Sequence, residues 1–280
     1  MTKARINLRL DSDAPNAARQ ARAISAIMKD KEKIFTHELE VFRTEIESAI
    51  QFFYADRAMN GVLAKDKYTL AIVNRTPFFW VTTAGALHTA FFITLGRIFD
   101  QDSNHNIDKI LRTAQAHTEI FSKETLERRK REGSANAAEW IDEYMKSVYV
   151  PTAVDFRRLR KYVAKYRKIY ETVYREIRHK VIAHKQLSNV DDIHALYAKT
   201  NIIEMQKLLI FLNKLYHSLW QLYHNGNKPV LREMKYSTKR MIRADLPKWQ
   251  SHHVQERIVA DTVNFLKLLS NLPKEQLNRD

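Results

Sequence analysis

The stretch YREIRHKVIAHKQ, residues 174–186, sets Arg178 six positions before His184, with Arg175, His179, Lys180 and Lys185 around them. A histidine is the side chain whose charge changes near neutral pH, so it can take or give a proton. An arginine offers a fixed fork of donors suited to an anionic group. The two together are the parts of an acid–base site acting on an anion, provided the fold brings them within reach of one reacting group.

Helical spacing does not do this in a simple way. Each residue of an α-helix turns about 100°. With Arg178 at zero, Val173, Ile177, Tyr170, Val181 and Tyr174 fall between about 220° and 320°, which marks the buried face. His184 falls near 240°, just inside one edge, and Arg178 lies about 40° beyond the other. The two are also separated by about 9 Å along the axis. They border an apolar stripe and would not touch in one straight helix. Two readings follow. In one, His184 is a core histidine and Arg178 a surface cation. In the other, the stripe is a dimer interface and a two-fold axis gathers both residues from each chain, or the helix breaks near Ala183 and Arg178 reaches back.

Other chemistries are missing from the chain. It has no cysteine, which removes disulfides, thiolate zinc sites and cysteine nucleophiles. It has no His-Glu-x-x-His run, no phosphate-binding glycine loop and no nucleophile elbow. His252-His253 reads as a solvent-facing doublet rather than a metal site. Asp100 and Asp102 read as caps or salt-bridge partners. No metal or cofactor is expected.

The elements that must position these residues are helical. Five glycines and six prolines in 280 residues are too few for a sandwich, a barrel or a Rossmann-type fold. No fixed-period repeat suggests a solenoid. After a polar lead, a helix is expected to begin near Asp13. Phe42, Ile46, Ile50 and Phe53 predict a long helix over about 34–63. The segment TPFFWVTTAGALHTAFFITLG, residues 76–96, carries no charge and has the length of a membrane span. Its threonines, and the absence of a second such segment, favour a buried central helix of a bundle. A polar break follows, with Asn106 or Asp108 as a cap for a short helix over 107–120. Residues 122–140 read as a charged, exposed insertion, followed by a helix from Ala135 to about Tyr149. A long basic helix spans about 152–184, residues 185–200 read as a loop with room for a short turn, and a core helix stops at Gly226. A last amphipathic helix starts near His252. The expected organisation is an arm over 1–33, a helical core over 34–225 with an insertion at 121–149, and a basic C-terminal extension over 226–280. The N-terminus lacks a signal-type apolar core, so a cytoplasmic location is expected.

Net charge is +15, and it is concentrated. From Pro151 to Lys185 there are eleven Lys or Arg against three acids. From Gly226 to Gln250 there are seven against two. Such clusters attract polyanions, nucleic acid first.

Arg178, the polar His179, KVIA and His184 resemble the HEPN superfamily signature, an arginine, a polar neighbour and a histidine after four to six residues. The form RHKVIAHK is similar to the abortive-infection branch. So is LGRIFDQDSNHNIDKILRTA, residues 95–114, which matches that branch's Arg-hydrophobic-hydrophobic-Asp, polar turn and short helix. The resemblance covers about Ile34 to Asn225. It implies an all-α, HEPN-like bundle with an inserted helical pair and a C-terminal helical extension, commonly a homodimer with the two motifs facing. Many such proteins are metal-independent endoribonucleases in which the RNA's own 2′-OH attacks the adjacent phosphate. Under that resemblance Arg178 and His184 are catalytic and His179 and Lys180 assist. Arg175, Lys185, Lys168, Arg157, Arg158, Arg160 and Lys161 would hold RNA. A role in antiviral defence or a toxin system follows, with a possible antitoxin or defence partner and no membrane. Other relatives bind RNA or nucleotides without cutting, and a regulatory interaction protein is the third alternative.

Overall fold

The computed structural model describes residues 14–183, 189–231 and 253–271, and among the described residues all regular structure is helical. Ten α-helices can be followed there: α1 (Ala14–Leu63), α2 (Lys67–Val73), α3 (Pro77–Phe99), α4 (Ile107–Ala116), α5 (Lys123–Gly133), α6 (Ile141–Ser147), α7 (Ala153–Ile169), α8 (Val190–Ala198), α9 (Ile202–Asn225) and α10 (Val254–Ser270). Asp66, Asn106 and Asn201 start α2, α4 and α9 by accepting backbone N–H bonds from the first turn.

The spine is α1, which is 50 residues long and runs without interruption past the boundary expected at Ile34. Phe35, Leu39, Phe42, Ile46, Ile50 and Phe53 lie along it at steps of three and four, and all are buried. Helices α3, α9 and α10 pack against this stripe. The C-terminal helix is therefore part of the same core, with Val259 and Leu266 buried.

Three expectations need correction. First, α3 is not a buried central helix along its whole length. Phe91, Phe92, Leu95, Ile98 and Phe99 are buried, but Phe78, Phe79 and Val81 are exposed. Absence of charge over residues 76–96 reports apolarity, not the extent of cover. Second, residues 122–140 are not exposed throughout. Leu126 and Ala137 are buried, Arg128 and Arg129 both pair with Glu32 of α1, and Arg129 donates to the carbonyl of Tyr223 at 2.7 Å. Charges that looked solvent-directed instead fasten α5 to α1 and α9. The helix expected from Ala135 is a 3-10 turn, Ala137–Glu139, followed by α6. Third, the loop expected after residue 185 contains α8, which Asn189 caps through the N–H of Asp191.

Glycine is required where α9 ends. Gly226 has φ 59°, the left-handed conformation, and a Cβ there would come within 2.7 Å of Val148 and 2.9 Å of Leu126. Gly85, on α3, has open space around it. Gly226→Ala is expected to lower unfolding free energy by more than about 1 kcal/mol. Gly85→Ala should raise it by roughly 0.5–1 kcal/mol through helix propensity alone. Urea denaturation of both variants measures this opposition of sign.

Candidate functional site

The long basic helix expected over residues 152–184 is continuous from Ala153 to Ala183, but it is not an α-helix throughout. After α7 it widens into π-helical turns at Tyr170–Tyr174 and Ile177–Ala183. Arg175 donates its N–H to the carbonyl of Tyr170, five residues back. Such widened turns are rare and are frequent at functional sites. They also displace later side chains from a 100° wheel. Tyr170, Tyr174 and Ile177 occupy the buried face as expected, with no solvent exposure. Arg178 is the departure: its side chain is drawn in toward the end of α3.

Two features of α3 receive it. Gly96 presents bare backbone to the Arg178 side chain, whose Nε, Cδ and Cζ atoms occupy the space a Cβ would need. One turn on, Asp100 ends α3 with its own N–H bonded to the carbonyl of Gly96 at 2.8 Å. Its carboxylate accepts from Nη1 of Arg178 and from the hydroxyl of Tyr170 at 3.1 Å. Nε of Arg175 stands 4.0 Å away. The Tyr170 ring stacks on Phe99 at 5.3 Å, which seats its hydroxyl against Asp100. Burial and the neighbouring Asp100 push the Tyr170 pKa well up, so the phenol stays protonated and donates. Burial also pushes Tyr174 up to about 12. One carboxylate thus faces two guanidinium groups, which leaves local positive charge for an anion.

His179 adds to this cluster. Its Nε2 lies 3.3 Å from Nη1 of Arg178. A guanidinium only donates, so in this hydrogen bond Nε2 is the acceptor. That makes His179 an orienting acceptor for Arg178. Lys180 is engaged elsewhere, pairing with Glu176 at 2.9 Å one turn back and holding the Glu176 carboxyl below its ordinary range.

The other sequence-predicted residues are distributed as follows. Arg175 is half exposed beside Asp100. Arg157, Arg158, Arg160, Lys161 and Lys168 all face solvent along α7. Lys161 is about 25 Å along the rod from Arg178, so Arg157, Arg158, Arg160 and Lys161 form a separate group, with Lys168 about 15 Å away. His184 and Lys185 lie outside the described residues, as does His252. His253 lies with His217 in a cleft of about 290 Å³ between α1, α9 and α10, apart from Arg178. Burial and the charge of His253 lower the His217 pKa. Among the described residues no three His, Asp or Glu side chains converge on a metal-sized site.

The sequence marks Asp100 as a cap or salt-bridge partner and as the Asp of the stretch over residues 95–114, and the structure makes it both cap and ion-pair partner. Sequence reasoning missed Gly96 and Tyr170. A glycine inside a helical apolar run was the available signal for Gly96, because such a glycine usually marks a close approach.

A second ion pair anchors the same rod: Arg167 to Asp108 of α4, with both side chains nearly buried. The two stretches singled out in the sequence, residues 95–114 and 178–184, are therefore joined at Gly96 and Asp100 by Arg178. Both stretches fall within one match to a known family. The family model HEPN_AbiU2, described as AbiU2, matches residues 32–240, about three quarters of the chain. No curated protein and no solved structure matched it.

Gly96→Ala is expected to expel Arg178 and cost about 1–3 kcal/mol. The same change in an Arg178→Ala background should cost much less, because the clash is gone. Unfolding free energies of the four proteins measure that difference. Equal costs in both backgrounds would mean that Gly96 does not serve Arg178.

Proposed function

The chain belongs to the HEPN AbiU2 family, and from that premise we propose that it is a metal-independent endoribonuclease acting in abortive infection, with a site completed across a homodimer. The observation that carries this reading is the capture of Arg178 by Asp100 over Gly96. A cation serving only solubility would not be drawn into a glycine-floored notch and oriented by a carboxylate and an imidazole.

In the proposed reaction the 2′-OH of one nucleotide attacks the adjacent phosphorus. A new P–O2′ bond forms, the P–O5′ bond breaks, and the products are a 2′,3′-cyclic phosphate and a 5′-hydroxyl. The 2′-OH loses a proton to a base and the 5′-oxygen gains one. His184 is assigned to proton transfer. Arg178 donates to the phosphoryl oxygens as charge develops on them. Asp100 and His179 are positioning residues that hold the guanidinium plane, and Tyr170 holds Asp100. Arg175, with the excess positive charge it brings, attracts the RNA backbone.

A second reading rests on a different observation. The charges of Arg178 and Lys180 are already engaged by Asp100 and Glu176, whereas Arg157, Arg158, Arg160 and Lys161 face solvent. In that reading the protein holds RNA along α7 without cutting it.

Single-stranded RNA incubated with the full-length protein in EDTA separates the two. The nuclease reading expects cleavage, with Arg178→Ala or His184→Ala slowing single-turnover cutting by about 100-fold or more while circular dichroism is unchanged. Undiminished cutting by both variants would overturn it. Salt-sensitive RNA binding without cleavage, lost on reversing charge at Arg157 and Lys161, would establish the second reading instead.

A further inference from the structure

The exposed half of α3 is the largest departure from what an apolar sequence should do in water. Residues 77–90 carry no charge, yet Phe78 is 88% exposed, Val81 72% and Phe79 61%. The exposure extends across to α10, where Phe265 and Leu268 are 51% and 68% exposed. The two helices meet through Trp80 and Phe265, whose rings lie 6.3 Å apart. An exposed apolar surface of this kind marks an interaction site.

The surroundings of the patch indicate what covers it. Lys65, Lys67, Arg75 and Lys267 are exposed around the same end of the bundle. Two acids stand against these four cations: Asp66 turns its carboxylate to the N-terminus of α2, accepting from the N–H groups of Tyr68 and Thr69 at 3.0 and 3.1 Å, and Asp261 is exposed on α10 one turn before Phe265. An aromatic and aliphatic tip with a cationic rim is complementary to an anionic lipid surface, with rings entering the acyl boundary and ammonium groups meeting headgroups. A second copy fits less well, since a two-fold contact would set one basic rim against the other. Single-stranded RNA could stack on the phenyl rings but gains little from Val81 and Leu268. Spanning the bilayer is not compatible with the fold. The C-terminal half of α3 is locked into the core, and residues 77–90 extend only about 21 Å against roughly 30 Å of hydrocarbon.

We propose that the Phe78–Val81 end of α3, together with Phe265 and Leu268, is a docking surface for anionic membrane lipid. This inference is independent of the nuclease reading. The surface lies about 33 Å along α3 from Asp100, so a docked protein keeps the Arg178 cluster in the aqueous phase.

The test is co-sedimentation of the full-length protein with vesicles of phosphatidylcholine, with and without phosphatidylglycerol. Binding to the anionic vesicles is expected, with little binding to the neutral ones. Phe78→Ser/Phe79→Ser should weaken it about tenfold or more. Lys67→Gln/Lys267→Gln should weaken it about fivefold or more, on anionic vesicles only. Should the phenylalanine pair fail to fold by circular dichroism, Val81→Ser/Leu268→Ser serves in its place. Three results would overturn the proposal: no vesicle binding by the unaltered protein, binding that ignores both apolar variants, or a lipid-free dimer that those variants convert to monomer.

Discussion

Arg178 and Asp100 lie 78 residues apart in the sequence, and their ion pair fixes how the end of α3 meets the motif helix. A partly buried pair of this kind adds little net stability compared with an apolar contact of the same shape, but breaking one side of it is costly. Its effect is geometric. Asp100 can reach Arg178 only because Gly96 lets the guanidinium stem lie against the backbone of α3. Tyr170 can hold Asp100 only because its ring is stacked on Phe99. The widened turns between Tyr170 and Ala183 bring the side chains of the rod to these partners. Together these contacts distinguish Arg178 from a solvent cation.

The same pattern holds the rest of the bundle together. Charged residues that look like surface decoration are used as inter-helix fasteners: Glu32 takes Arg128 and Arg129, and Asp108 takes Arg167. This explains why so basic a chain can bury carboxylates without leaving them unpaired. Among the described residues, exposed cations line α7 and surround the exposed half of α3. The molecule thus places two distinct features at the ends of one helix: Arg178 held at the C-terminus of α3 and an aromatic, apolar tip at its N-terminus.

Much of this was legible from the sequence because helical periodicity is a local property. The steps of α1, the cap at Asn106, the stop at Gly226 and the buried face of Tyr170, Tyr174 and Ile177 all follow from residue type and spacing. What was not legible depends on long-range partners. Arg128 and Arg129 look exposed until Glu32 is placed beside them. Phe78 and Phe79 look buried because nothing in an uncharged stretch tells where its covering neighbours end. Arg178 looks like a border residue on a uniform wheel, because π-helical turns change the angle per residue and no residue type announces them. Lys180, expected to assist at the motif, pairs with Glu176 one turn earlier.

The central claim is that Asp100 acts through Arg178 rather than on its own account. A kinetic double-mutant cycle tests it most directly, comparing single-turnover RNA cleavage by the unaltered protein, Asp100→Asn, Arg178→Ala and the double variant. The account predicts that Asp100→Asn alone slows cleavage by roughly 10–100-fold, because the guanidinium is misplaced. In the Arg178→Ala background the same change should have almost no further effect. Undiminished cleavage by Asp100→Asn, or slowing that multiplies fully in the double variant, would contradict it.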